Sequence, residues 1–400
     1  MRFRDQMAWT LLLQGGGTAA GIVTIALLGI YLGPAAQGAF SLVKIEVAFI
    51  GSFAIFGLTQ ALFYFVQSSR MSIGRAKDLA VMSGVLGGLM ALGYGVFEQR
   101  WMGFALVAFV FAGAAYARYG CLRGVVLAAT PTRSFNVMTA LPQGLLLLYA
   151  GIAVMVGRIN NFDVALAFVF SYILSSLIGM RMLAVTSRVT PTVTNEERLP
   201  AVIRYGFASG VTEIAANVSL LLAAKAVAAR LGAVDLGAFT FAVTLTQGLL
   251  VPLSYASPLL FKRWMERPDA SEAMKVGAMV FLILGACALI VRVLLSNTDS
   301  SSWLGGYLML ADILWIGLLA AAFDGFKRAL VAYVYARGSP WLPATSEILR
   351  MVIVAGGFAL WPIRQVSNVA WIVCIAAMVS STTLLVIHRR MKWATEGQRK

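Results

Sequence analysis

The chain has 400 residues, of which 60% are hydrophobic and only 12% charged, and its mean hydropathy is +0.83. Soluble domains carry about 25% charged residues, so this composition excludes an ordinary soluble domain and places the chain in a bilayer. The net charge of +15 would suggest a nucleic-acid partner in a soluble protein, but in a membrane protein it points to basic loops on one face. Cys121, Cys287 and Cys374 are scattered and support neither a disulfide framework nor a zinc site. The single histidine, His388, lies in a basic tail and reads as a juxtamembrane surface residue, which leaves hydrolytic or metal chemistry almost nothing to use.

A helix crosses a bilayer with about 20 mostly apolar residues. Twelve such runs follow one another at 8–31, 40–66, 79–97, 101–118, 135–157, 162–182, 203–230, 238–261, 274–295, 303–325, 342–361 and 366–388. The first run has no small-residue cleavage site and is read as a retained helix. With the N-terminus in the cytoplasm, 24 of the Lys and Arg residues fall at cytoplasmic ends and loops. Five fall on the opposite side (Arg100, Arg158, Arg230, Arg292 and Arg364), and Lys44, Lys225 and Arg350 lie inside spans. That asymmetry predicts a multi-pass membrane protein with both termini cytoplasmic, and it accounts for the charge without nucleic acid. The longest connection carries "TNEERLP" near the midpoint of the chain. The expected organisation is an N-terminal six-helix lobe (1–183), a cytoplasmic linker (184–202), a C-terminal six-helix lobe (203–390) and a basic tail (391–400).

The two halves share a motif. "YLGPAAQGAF" at 31–40 returns as "RLGAVDLGAF" at 230–239, and at the same offset of 199 Gln14 falls on Glu213 and Thr18 on Asn217. Shared polar positions within apolar helices indicate parallel repeats, a plan used by transporters. The expected fold is therefore all-α, with about 12 transmembrane helices in two pseudo-symmetric six-helix lobes around a central cavity that opens to alternate sides.

"QGGGTAAG" in the first span, "LGPAAQGAFSLV" after it and "FGLTQALFYFVQ" beyond resemble the Wzx-like polysaccharide flippases of the MOP exporter superfamily, and the likeness extends over the whole chain in span number and duplication. The resemblance implies a transporter of the bacterial cytoplasmic (inner) membrane rather than an enzyme. Its implied cargo is a lipid-diphosphate-linked oligosaccharide carried to the periplasmic leaflet for cell-surface polysaccharide, with membrane lipids and other polysaccharide assembly proteins as partners. Drug-exporting MATE proteins of the same superfamily usually carry an acid in the first helix, where this chain has Gln14. They supply the alternative reading, a MATE-like multidrug or metabolite exporter.

Ionisable side chains inside a membrane are functional candidates by default. Lys44 sits about 6 Å below the expected start of its span and either snorkels to the interface or faces the cavity; Glu46, two residues on, points elsewhere. Lys225 lies at a similar depth, and Glu213 is too far along the helix to neutralise it. Arg350 pairs with Glu347 three residues before it or forks onto phosphate oxygens. Gln14, Lys44, Lys225 and Arg350 are the candidate substrate contacts. Asp312, near the centre of 303–325, and Glu213 are candidates for proton or sodium coupling or are quiet buried acids. No other cofactor is expected. Asp324 with Lys327 and Arg328 reads as a pair at a helix end. Gly15, Gly16 and Gly17 weaken the first helix and form the candidate hinge.

Overall fold

The apolar runs fold into helices, the form in which a single segment satisfies all its own backbone groups in lipid. A computed structural model describes residues 3–99, 102–186, 196–266, 269–296, 310–337, 339 and 341–397. Its helices are α1 (Phe3–Leu32), α2 (Pro34–Ile55), α3 (Leu58–Gln67), α4 (Ile73–Glu98), α5 (Gly103–Ala129), α6 (Thr132–Met155) and α7 (Asn161–Thr186). The second half supplies α8 (Leu199–Arg230), α9 (Ala233–Glu266), α10 (Ala270–Ser296), α11 (Leu310–Ala336), α12 (Trp341–Leu360) and α13 (Val366–Gly397). Among the described residues, 11 helices are long and apolar enough to cross a membrane, so the chain is a multi-pass membrane protein. The described part of α11, from Leu310 on, is not in that set because Asp312, Asp324, Lys327 and Arg328 load it with charge; 303–309, the start of the expected span, lie outside the described residues.

Several sequence boundaries shift, and two of them change the reading most. The run 40–66 is not one helix: Phe56 (φ 41°) and Gly57 (φ 73°) break it into α2 and α3. A Cβ on Gly57 would lie 1.9 Å from the Gly206 carbonyl oxygen, so both the backbone angle and the close approach require glycine there. The run 101–118 was cut short by its arginines. Helix α5 continues to Ala129, where Thr130 and Pro131 end it, because polar side chains lower hydropathy without breaking backbone hydrogen bonds.

The chain divides into two compact units, Met1–Leu32 with Phe40–Asn217, and Gly33–Ala39 with Val218–Lys400. The division passes through α2 and α8 rather than through the linker, of which residues 187–195 lie outside the described residues. In the first unit α5 is central, packed by α3, α4 and α7, while α1 and α7 pack on α6. In the second unit α11 is central, packed by α9, α10 and α13, with α12 against α13.

The two motif copies share a backbone conformation. Gly33 (φ 83°) and Gly232 (φ 102°) both adopt the left-handed turn between consecutive helices. Within the second unit the copies also touch: a Cβ on Gly38 would lie 2.7 Å from the Gly237 nitrogen, and one on Gly237 only 2.1 Å from the Pro34 oxygen. Buried Gln37 donates to Thr240 Oγ1 at 3.3 Å across the same crossing. The paired polar positions agree as well. Thr18 Oγ1 donates to the Gln14 carbonyl at 3.0 Å, and Asn217 Nδ2 donates to the Glu213 carbonyl at 3.1 Å.

Candidate functional site

In the first unit, Lys44 and Glu46 lie in the middle third of α2. Because α2 begins at Pro34 rather than at residue 40, Lys44 is ten residues in, about 15 Å along the axis. That depth corrects the shallower expectation and weakens simple snorkelling. Lys44 is half-buried, with its Nζ 5.7 Å from the Phe40 ring centroid. Glu46 is fully buried and accepts from Tyr94 Oη at 3.2 Å, so the two side chains do serve different neighbours.

Gln14 is buried in α1 and donates to Asn136 of α6, whose Nδ2 donates in turn to Thr10 Oγ1 at 2.9 Å. It belongs to a polar strut between α1 and α6. Its own Oε1 is left without a partner among the described residues. The three candidate hinge glycines do not behave alike. Helix α1 is continuous through them, and Gly15 and Gly16 face open space. A Cβ on Gly17, however, would come within 2.9 Å of Ala140 Cα, so Gly17 is a packing residue.

The cations that sequence reasoning missed are Arg118 and Arg123, assigned to a loop but carried inside α5. Arg118 Nη2 lies 2.7 Å from Met180 Sδ, a weak acceptor, and its Nε is buried without a partner among the described residues. Arg123 lies 5.8 Å from the Tyr119 ring and 5.9 Å from the Phe135 ring, and it is the charge felt by half-buried Glu213. Extending the apolar run beyond Arg118 through "GVVLAA" was the signal that would have found them.

In the second unit, Lys225 is half-buried in α8, five residues before its end. Asp312 is exposed, two residues after the first described residue of α11; 303–309, the start of the expected span 303–325, lie outside the described residues. The tail histidine is not a surface residue: His388 is buried edge-on to Tyr333, at 5.4 Å.

Arg350 joins a buried network far from any helix end. Its Nη1 binds Asp324 Oδ1 at 2.8 Å and lies 4.0 Å from Glu347 Oε2, so the expected Glu347 pairing is the lesser one. Glu347 is held instead by Lys327 Nζ at 2.5 Å, and Lys327 also donates to Ser380 Oγ at 3.0 Å. Asp324 and Lys327 are 3.8 Å apart, in the interior of α11 rather than at its end. These four charges cancel. Arg328, half-buried and donating to Gln247 Oε1 at 2.7 Å, supplies a surplus positive charge beside them.

No family model matches the chain, and no curated protein matches it in sequence. Solved structures match it in fold, and that fold is the one of MATE transporters. An inward-facing multidrug resistance MATE family transporter of the MOP superfamily is 15% identical, with a TM-score of 0.69 over 99% of both chains. An outward-facing one is also 15% identical, with a TM-score of 0.68 over 97% of this chain and 96% of the other. A MATE protein in the bent conformation is 13% identical, with a TM-score of 0.65 over 99% and 97%.

Proposed function

We propose that this protein carries a polyprenyl-diphosphate-linked oligosaccharide from the cytoplasmic to the periplasmic leaflet by alternating access. The observation that carries this reading is the sign of the deep charges. Lys44, Arg118, Arg123, Lys327, Arg328 and Arg350 stand well inside their helices, against the acids Glu46, Glu213, Asp324 and Glu347. A surplus of cations suits an anionic diphosphate head group, whose unaided passage through hydrocarbon is opposed by desolvation. Inward- and outward-facing forms of the same fold support the alternating-access part of the proposal. The alternative, a MATE-like exporter of cationic drugs or metabolites, calls for the opposite surplus. Proteoliposomes separate the two: a labelled polyprenyl-diphosphate glycan should be flipped and a cationic dye should not. Dye transport without glycan flipping would overturn the flippase reading. Coupling to a proton or sodium gradient is part of the proposal, with Glu213 the better-placed carboxylate and exposed Asp312 the lesser one.

Bending of α1 is assigned to Gly15 and Gly16. Replacing both by alanine should slow flipping several-fold while leaving the melting temperature unchanged or raised, since alanine favours the helix by up to roughly 1 kcal/mol per site. Gly17 is left in place because its substitution would disturb α6. Full-rate flipping in the double variant would place the motion elsewhere.

A further inference from the structure

The chain entering α8 is fastened to the corner between α3 and α4. Glu196 Oε1 accepts from the Ser72 amide at 3.1 Å and from the Ser72 hydroxyl at 2.5 Å, while its Oε2 faces Arg75 Nη1 at 3.4 Å. Arg75 Nη1 also donates to the Glu197 carbonyl at 2.9 Å, and the Glu197 amide donates to the Arg70 carbonyl at 2.8 Å. Ser72 caps α4, its hydroxyl accepting from the Arg75 amide at 3.3 Å, so clamp and helix start share one residue. Immediately beyond the clamp, Tyr205 stacks on Tyr64 at 4.5 Å and meets Phe65 edge-on at 5.6 Å. Gly206 and Gly210 then close against Gly57.

The clamp differs in kind from what lies beneath it. Its charged members are accessible, with 33% of the Arg75 side chain and 38% of the Glu196 side chain exposed, whereas the helices below meet backbone to backbone. An exposed ion pair adds little static stability and is screened by salt. It suits a contact that must release.

We propose that Glu196 and Glu197 of "TNEERLP" form a latch that holds the start of α8 on the α3–α4 corner in one state of the transport cycle, and that turnover requires its release. The inference rests on the transport reading above. Its pH sense follows from Ser72, whose hydroxyl and amide hold the Glu196 carboxyl below its ordinary value. A depressed native value means that the latch is fully formed above the ordinary carboxylate range and is lost as the pH falls through the native value.

Two measurements test it. In a chain whose three cysteines are replaced by alanine, Ser72→Cys with Glu196→Cys should form a disulfide that lowers glycan flipping at least tenfold, with recovery on reduction. Nitroxides at Gly74→Cys and Arg198→Cys, which leave the clamp intact, should report two distances, the longer gaining population in high salt or acid. Equal flipping with and without the disulfide, or one unchanging short distance under all conditions, would overturn the latch. If the unsubstituted protein flips no glycan at all, the transport reading fails, and the nitroxide distances still decide whether the clamp opens.

Discussion

Replacing Lys327 by alanine is expected to destabilise the protein by about 3–5 kcal/mol, the usual cost of leaving a buried charge without its partner. Lys327 is 3% exposed, and its ammonium is the near partner of Glu347, at 2.5 Å. Without it, the one ion pair left to Glu347 among the described residues is Arg350, at 4.0 Å, and Arg350 is already committed to Asp324 at 2.8 Å. Ser380 loses a donor in the same step, though it still donates to the Ser346 carbonyl at 2.8 Å. Thermal unfolding in detergent measures the loss. A double variant, Lys327→Met with Glu347→Gln, removes both charges and leaves the Asp324–Arg350 pair, so it should recover most of the lost stability, as apolar replacements of buried ion pairs generally do. A Lys327→Ala protein that melts within about 1 kcal/mol of the parent would show that this network behaves like a surface ion pair despite its burial.

Lys44→Ala is expected to lower glycan flipping by about ten- to a hundredfold without loss of folded protein. A hydrogen bond to a charged group is worth about 1.5–3 kcal/mol, and every 1.4 kcal/mol is about tenfold. Lys44 is half-buried beside Phe40, so truncation opens little core, and the effect should appear in transport rather than in melting. Lys225→Ala should act in the same direction, and the two together should abolish flipping. Arginine at position 44 should restore part of the rate, because a guanidinium also engages phosphate oxygens. If both alanine variants flip at the parent rate, neither lysine contacts the anion.

Much of the fold was legible because the bilayer imposes a length and a polarity on each segment. The helical class and the duplicated turn both followed from apolar runs and from "LGxxxxGAF". Hydropathy failed where a helix carried charge for a reason other than ending. Arg118 and Arg123 looked like a loop, and "FDGFKR" in α11 looked like a terminus, yet both belong to continuous helices. Charges can stay inside a span when tertiary partners meet them, and those partners are distant in sequence. Lys327 finds Glu347 20 residues away and Ser380 53 residues away, separations that no local pattern encodes. The charges inside the helices were legible as residue types but not in their pairings. Arg350 does lie inside helix α12, whereas its main partner proved to be Asp324 on another helix. The glycine triplet shows the same limit: the sequence has three equal residues, and only Ala140 distinguishes the third.

The crossing of Gly38 with Gly237 bears on how such a chain could have arisen. In a dimer of identical half-length chains, a contact on the two-fold axis is isologous, each copy presenting the same patch to the other. Here the two patches are the two copies of one motif: Gly38 approaches Gly237, and Gly237 approaches Pro34, the residue four before Gly38. Fusion would turn one self-complementary surface into two separately mutable ones. Selection must then keep them matched, because a side chain gained on either helix collides with backbone on the other. The short glycine motif would thus persist in both halves while the rest of each repeat was free to diverge.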